Sequence, residues 1–131
     1  MTTESREFDI IVLGATGFTG ALVAEYLLQR YGVGQDLRWA VAGRNKEKLE
    51  HLRSQLGAAA ADLPVIVADS LDADSMDDLA KRTRVVLTTV GPYAHFGSPL
   101  VAACAANGTH YCDLAGEVQW IRRMIDACLL Y

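Results

Sequence analysis

Leu13-Gly14-Ala15-Thr16-Gly17-Phe18-Thr19-Gly20 is the stretch that decides the fold. An apolar run, Phe8 to Leu13, leads into it, and a helical pattern, Ala21 to Tyr31, leads out. Strand, glycine turn and helix is the layout that a dinucleotide's pyrophosphate needs. Gly14 lets the strand turn sharply, Gly17 lets a phosphate approach the backbone, and Gly20 lets the helix pack closely on the strand it has just left. The first amides of that helix have no partner inside it, and the helix dipole favours an anion there. Thr16 and Thr19 can add hydroxyl donors. The spacing is G-x-x-G-x-x-G, not G-x-G-x-x-G, so the turn needs support from the rest of the chain.

Working outward, strand and helix patterns alternate. Leu22, Val23, Tyr26 and Leu27 are expected to face the sheet from the first helix, which ends at Gly32 and Gly34. Leu37 to Ala42 reads as a second strand. Asn45 is placed to cap a helix that carries Leu49, Leu52 and Leu56 on one face and stops at Gly57. Ala58 to Asp62 is a small-residue loop. Val65 to Ala68 forms a third strand, and Asp72 can cap a helix over Ala73 to Arg82 buried through Met76, Leu79 and Ala80. Val85 to Val90 is a fourth strand, closed by Gly91-Pro92. Ser98 reads as an N-cap with Pro99 at the first helical position, the helix running to about Ala106. Thr109 to Cys112 is a fifth strand. Glu117 to Leu130 is a helix with Trp120, Ile121, Met124, Ile125 and Cys128 on one face. Short links between alternating elements imply an α/β fold, a doubly wound open parallel sheet between two helical layers, with strand order 3-2-1-4-5.

Composition narrows the function. The 131 residues suffice for one domain, 51% are hydrophobic, and the formal charge is −4. That charge, with no long basic run, argues against nucleic acid or an anionic membrane as partner. No apolar run approaches the ~20 residues of a membrane span. Cys104, Cys112 and Cys128 show no C-x-x-C spacing and read as reduced thiols of a cytoplasmic protein, with neither a disulfide frame nor a metal site. Residues 1–7 are expected to form a loose tail ahead of a domain over 8–131.

In such a sheet, ligands bind outside the carboxyl ends of the strands. Arg44 follows strand two, where an acid would select NAD and an arginine suits a 2′-phosphate. A guanidinium grips phosphate with two donors, so NADP(H) is expected over NAD(H). Asp69, after strand three, either accepts from the adenine amino group, with Ser70 or Leu71 along the ring, or caps a helix, a role Asp72 can also fill. Val90, Gly91, Pro92 and Tyr93 close strand four beside the middle of the cofactor. Tyr93 and His95 are candidate proton donors near the nicotinamide, although each is more often a packing or surface residue. His51 and His110 have no partner pattern. Tyr26, Tyr31, Tyr93 and Tyr111 each lack a lysine four places on, so the Tyr-x-x-x-Lys pair of short-chain dehydrogenases is missing. The catalytic residues stay unassigned.

Four blocks, Gly14-Ala-Thr-Gly-Phe-Thr-Gly20, Ala40-Val-Ala-Gly-Arg44, Val90-Gly-Pro-Tyr93 with Gly97 and Pro99, and Tyr111-Cys-Asp-Leu-Ala-Gly-Glu117, resemble the saccharopine dehydrogenase-like oxidoreductases. The resemblance covers Phe8 to about Cys128. It is strongest to the branch that includes the mycobacterial trans-acting enoyl reductases and the animal saccharopine dehydrogenase-like oxidoreductase. It implies an N-terminal nucleotide-binding domain followed by a substrate domain absent from these residues. In the enoyl reductase branch, NADPH reduces a carbon–carbon double bond of a lipid-like intermediate. The glycine turn differs from that of the saccharopine-forming members, which argues against a role in lysine metabolism. Two further readings stand beside a catalytic one: a module that senses NADP(H) redox state without turnover, and a piece that folds but binds weakly without its partner domain. Homo-oligomers are also expected, through the apolar face of the last helix.

Overall fold

A computed structural model describes residues 5–129. The central element is β1 (Phe8–Leu13), flanked on one side by β2 (Trp39–Gly43) and β3 (Val65–Val67) and on the other by β4 (Thr83–Thr88) and β5 (His110–Cys112). Every pairing is parallel and the order is β3-β2-β1-β4-β5, as the alternation of elements predicted. Ile11 sits level with Ala40 of β2 and Val86 of β4. Side chains alternate across a strand. Ile11 and Leu13 therefore enter one core layer with Met76, Leu79, Leu100 and Cys104, while Val12 enters the other with Ala24, Leu27, Leu49 and Leu52.

Those layers are built by α1 (Phe18–Tyr31) and α2 (Lys46–Leu56) on one face, and α3 (Ala73–Lys81) and α5 (Ser98–Asn107) on the other. A four-residue helix, α4 (Tyr93–Phe96), precedes α5, and α6 (Val118–Cys128) packs beside it. The predicted end of the last helix at Leu130 lies outside the described residues. Caps fall as the side chains dictate. Asn45 accepts from the Lys48 amide, and Asp72 accepts from the amides of Asp74 and Ser75. Ser98 is not the cap of α5. It lies inside the helix, and its hydroxyl accepts from the Trp120 indole N–H at 3.0 Å.

Beyond Ser98, two further expectations are corrected among the described residues. The first concerns α1, which begins three residues earlier than predicted and buries Gly20, Ala24 and Leu27. Leu27 and Val23 pack on the core as expected, but Leu22 and Tyr26 are exposed, because they lie on the side of the helix opposite Gly20, Ala24 and Leu27. The second concerns the tail. Residues 1–4 lie outside the described residues, but Arg6 is buried. Its Nη1 donates to the carbonyls of Ala80 and Thr83 and to Thr109 Oγ1, and its Nη2 donates to the Asn107 carbonyl at 2.7 Å. The segment is thus pinned beneath the sheet by a guanidinium that satisfies backbone carbonyls at the ends of three elements. No helix of the described residues is long and apolar enough to cross a membrane.

Candidate functional site

The carboxyl ends of β1, β2, β3 and β4 open on a crevice of about 280 Å³. Its floor and walls come from Leu13, Gly14 and Thr16, from Gly43 and Arg44, from Ala68 to Leu71, and from Val90, Gly91 and Phe96. The glycine turn fits this place sterically. Gly14 has φ +89°, and a Cβ there would fall 2.7 Å from Val90 Cγ2. Its amide donates to the Ala42 carbonyl and its carbonyl accepts from the Thr89 hydroxyl, so the turn is tied to the ends of β2 and β4. Gly20 is the tighter constraint: a Cβ would lie 2.0 Å from the Gly14 carbonyl oxygen.

Gly17 is the N-cap of α1, and no side chain caps it. The amides of Phe18, Thr19 and Gly20 are therefore left open at the positive end of the helix dipole. Thr16 reaches the crevice and Thr19 is exposed at the same helix start. Ala15 is fully buried in the α1–α2 core layer, and the Phe18 ring is 85% exposed, so each contributes backbone rather than side chain to the turn.

Arg44 lines the crevice one strand away and makes no ion pair among the described residues. Asp69 lines it too. One of its carboxylate oxygens accepts from the Leu71 amide at 3.0 Å, closing the turn after β3, while Asp72 does the capping of α3. Ser70 and Leu71 stand beside it.

The end of β4 divides. Val90 and Gly91 line the crevice, but Pro92 and Tyr93 do not. Tyr93 is buried: its hydroxyl donates to the Thr88 carbonyl and accepts from the Leu114 amide, and its ring stacks on Trp120 at 5.8 Å. It is a structural pin, not a group facing the crevice. His95 is exposed and sits edge-on to Phe96, outside the lining. Among the described residues no group of His, Cys, Asp and Glu is placed to hold a metal.

Sequence reasoning missed Phe96, because α4 was read as loop. It also gave no role to Glu117, which lies between β5 and α6 and whose two carboxylate oxygens accept from the amides of Tyr93 and Ala94 at 2.7 and 3.0 Å. Nearby, Asp113 accepts from Tyr111 Oη and from the Ala115 amide. Burial, reinforced by the Asp113 carboxylate, pushes the Tyr111 phenol well above its ordinary value, so it stays protonated. Burial likewise pushes the Cys104 thiol up to about 12, which makes it an inert core residue.

A parallel sheet of this order, with a glycine turn opening its first crossover helix, defines a Rossmann domain of the dinucleotide-binding class. The chain belongs to the saccharopine dehydrogenase NADP binding domain family, whose profile matches residues 10–128. It is 49% identical over 126 residues to a trans-acting enoyl reductase of Mycobacterium leprae, an alignment that covers 96% of this chain and 29% of that protein. It thus spans less than a third of that relative. Among solved structures, it is similar in fold to the apo saccharopine dehydrogenase (L-Glu forming) of Saccharomyces cerevisiae, with TM-score 0.65, 17% identity, and coverage of 90% of this chain and 24% of that one. It is similar to the same degree, TM-score 0.65 at 24% identity, to the triphenylmethane reductase of Citrobacter sp. complexed with NADP(H), over 82% of this chain and 37% of that one.

Proposed function

We propose that this domain seats NADP(H) for an oxidoreductase, with the diphosphate against the open amides of α1 and the 2′-phosphate on Arg44. The observation that carries the reading is the meeting, in one crevice, of a helix start and a guanidinium that have neither side-chain cap nor ion-pair partner among the described residues. Thr16 would orient a phosphate oxygen. Gly43, Ala68, Ser70 and Leu71 would line the adenosine, with Asp69 free to accept from its amino group through the oxygen that Leu71 leaves unused. Val90 and Gly91 would flank the middle of the cofactor, where a β-carbon at Gly91 would crowd the approach.

The bound nicotinamide would supply a hydride, and this chain would contribute binding and orientation. The name carried by its mycobacterial relative makes an enoyl group the favoured acceptor. A sensing role without turnover is favoured by one observation: the Tyr93 hydroxyl is committed inside the fold and His95 lies outside the crevice.

Titration with NADPH and NADH tests the cofactor reading. Arg44→Ala should weaken NADPH by about 1.5–3 kcal/mol, the worth of a charged hydrogen bond, and leave NADH nearly untouched. Equal loss for both would remove the 2′-phosphate assignment. NADPH oxidation with enoyl thioesters, measured on a chain of the relatives' full length, separates enzyme from sensor.

A further inference from the structure

One wall of the crevice is not self-supporting. Gly91 and Phe96 contribute to the lining, yet the segment between them is a short helix of four residues, too brief to hold its own place. Apart from the bond of the Tyr93 hydroxyl to the Thr88 carbonyl, its side-chain braces come from beyond β5. Glu117 takes the first two amides of α4 with one oxygen each. The Leu114 amide meets the Tyr93 hydroxyl, and Trp120 supports the Tyr93 ring from the side while its indole N–H reaches Ser98. Of these braces only Glu117 is charged, and it accepts from amides that have no partner inside the helix.

Resting on the nucleotide reading above, we propose that Glu117 is a positioning residue that sets the Gly91–Phe96 wall and thereby the fit of the cofactor beyond its adenosine. The carboxylate touches no crevice atom. It acts through the two amides, holding the start of α4 at a fixed height above β4. Removing it frees the wall to move while leaving Arg44, Ser70 and the glycine turn in place, because these are fixed by β1, β2 and β3 and by Thr89 at the end of β4, ahead of the wall. The consequence is selective: a ligand that needs only the Arg44 half of the crevice is indifferent to Glu117, and the whole dinucleotide is not. Glutamine at this position keeps size and polarity but turns one acceptor into an NH₂ that faces an N–H donor, so one of the two fastenings is lost.

The test measures binding of NADPH and of adenosine 2′,5′-bisphosphate to the wild-type chain, Glu117→Gln and Glu117→Ala, with a thermal melt of each. The expected result is an NADPH dissociation constant raised about tenfold in Glu117→Gln, as for one lost charged hydrogen bond, and further in Glu117→Ala. The bisphosphate should bind all three proteins within about twofold. Parallel loss of both ligands would reduce Glu117 to a general stabiliser and overturn the proposal, as would unchanged NADPH binding in Glu117→Ala. A wild-type chain that binds the bisphosphate but not NADPH also overturns it, while one that binds neither removes the nucleotide reading itself. Glu117→Gln keeps the comparison decisive if the alanine variant does not fold.

Discussion

Gly20 is the glycine with the least room for a β-carbon. Both atoms nearest to an added Cβ belong to the backbone of Gly14, so no rotamer change relieves the 2.0 Å overlap. Gly20→Ala should therefore move the start of α1 away from β1 and lower stability by about 1–3 kcal/mol, read by urea unfolding, as overpacking does. It should weaken NADPH as well, because the open amides shift with the helix. In the proposed seat Arg44 would work by charge rather than by shape, so its alanine variant should be as stable as wild type. At this scale the sequence was informative where chemistry is local. That Gly14, Arg44 and Asp69 meet at one crevice could be read from their place after an apolar run. Glu117 could not, because its two bonds reach back 24 and 23 residues and no spacing rule announces them. Tyr93 takes the packing role that was the commoner expectation for it, and the partner that fixes it, Trp120, lies on α6, beyond any local pattern.

Among the elements, caps and strands were legible and faces were less so. Asn45 and Asp72 cap the helices predicted for them, and Asp72→Ala should cost about 1 kcal/mol in denaturant unfolding. The buried face of α1 was half read: Leu27 and Val23 pack on the core, but small residues carry the rest of the contact. There Gly20 and Ala24 go inward, and Leu22 and Tyr26 turn out. At the opposite end of the sheet, Asp9 of β1 accepts from the Arg38 amide and guanidinium and lies 3.6 Å from Arg84. Burial opposes its charge, but the Arg38 bonds and both guanidinium charges outweigh that and hold its pKa below the ordinary 3.8. A depressed carboxyl stabilises the fold above its unfolded value, and that contribution disappears as pH falls through the lower, folded value. Melting temperature should thus fall less steeply below pH 3.8 in Asp9→Asn than in wild type. Identical slopes would show that the Asp9 link carries no stability.

For the whole molecule, the strand order followed from alternation and short links alone, since right-handed crossovers leave few other arrangements. Surface behaviour did not follow so directly. The last helix buries Trp120, which the sequence offered as part of an exposed apolar face, whereas Leu114, Val118, Ile125 and Leu129 remain exposed, with Phe18, Leu22 and Tyr26 on α1. Apolar area of this kind favours contact with other protein surface. Sedimentation should show mass rising with concentration, and a single monomeric boundary at all concentrations would contradict it. The central claim is that a diphosphate rests where α1 begins, with Arg44 one strand over. Its most direct test is an amide chemical-shift titration of the 131-residue chain with NADPH. The expected result is that the largest shifts fall at Gly17, Phe18, Thr19 and Gly20, with Arg44 and Ser70 next. Shifts confined to other parts of the sheet, or none at saturating nucleotide, would contradict it.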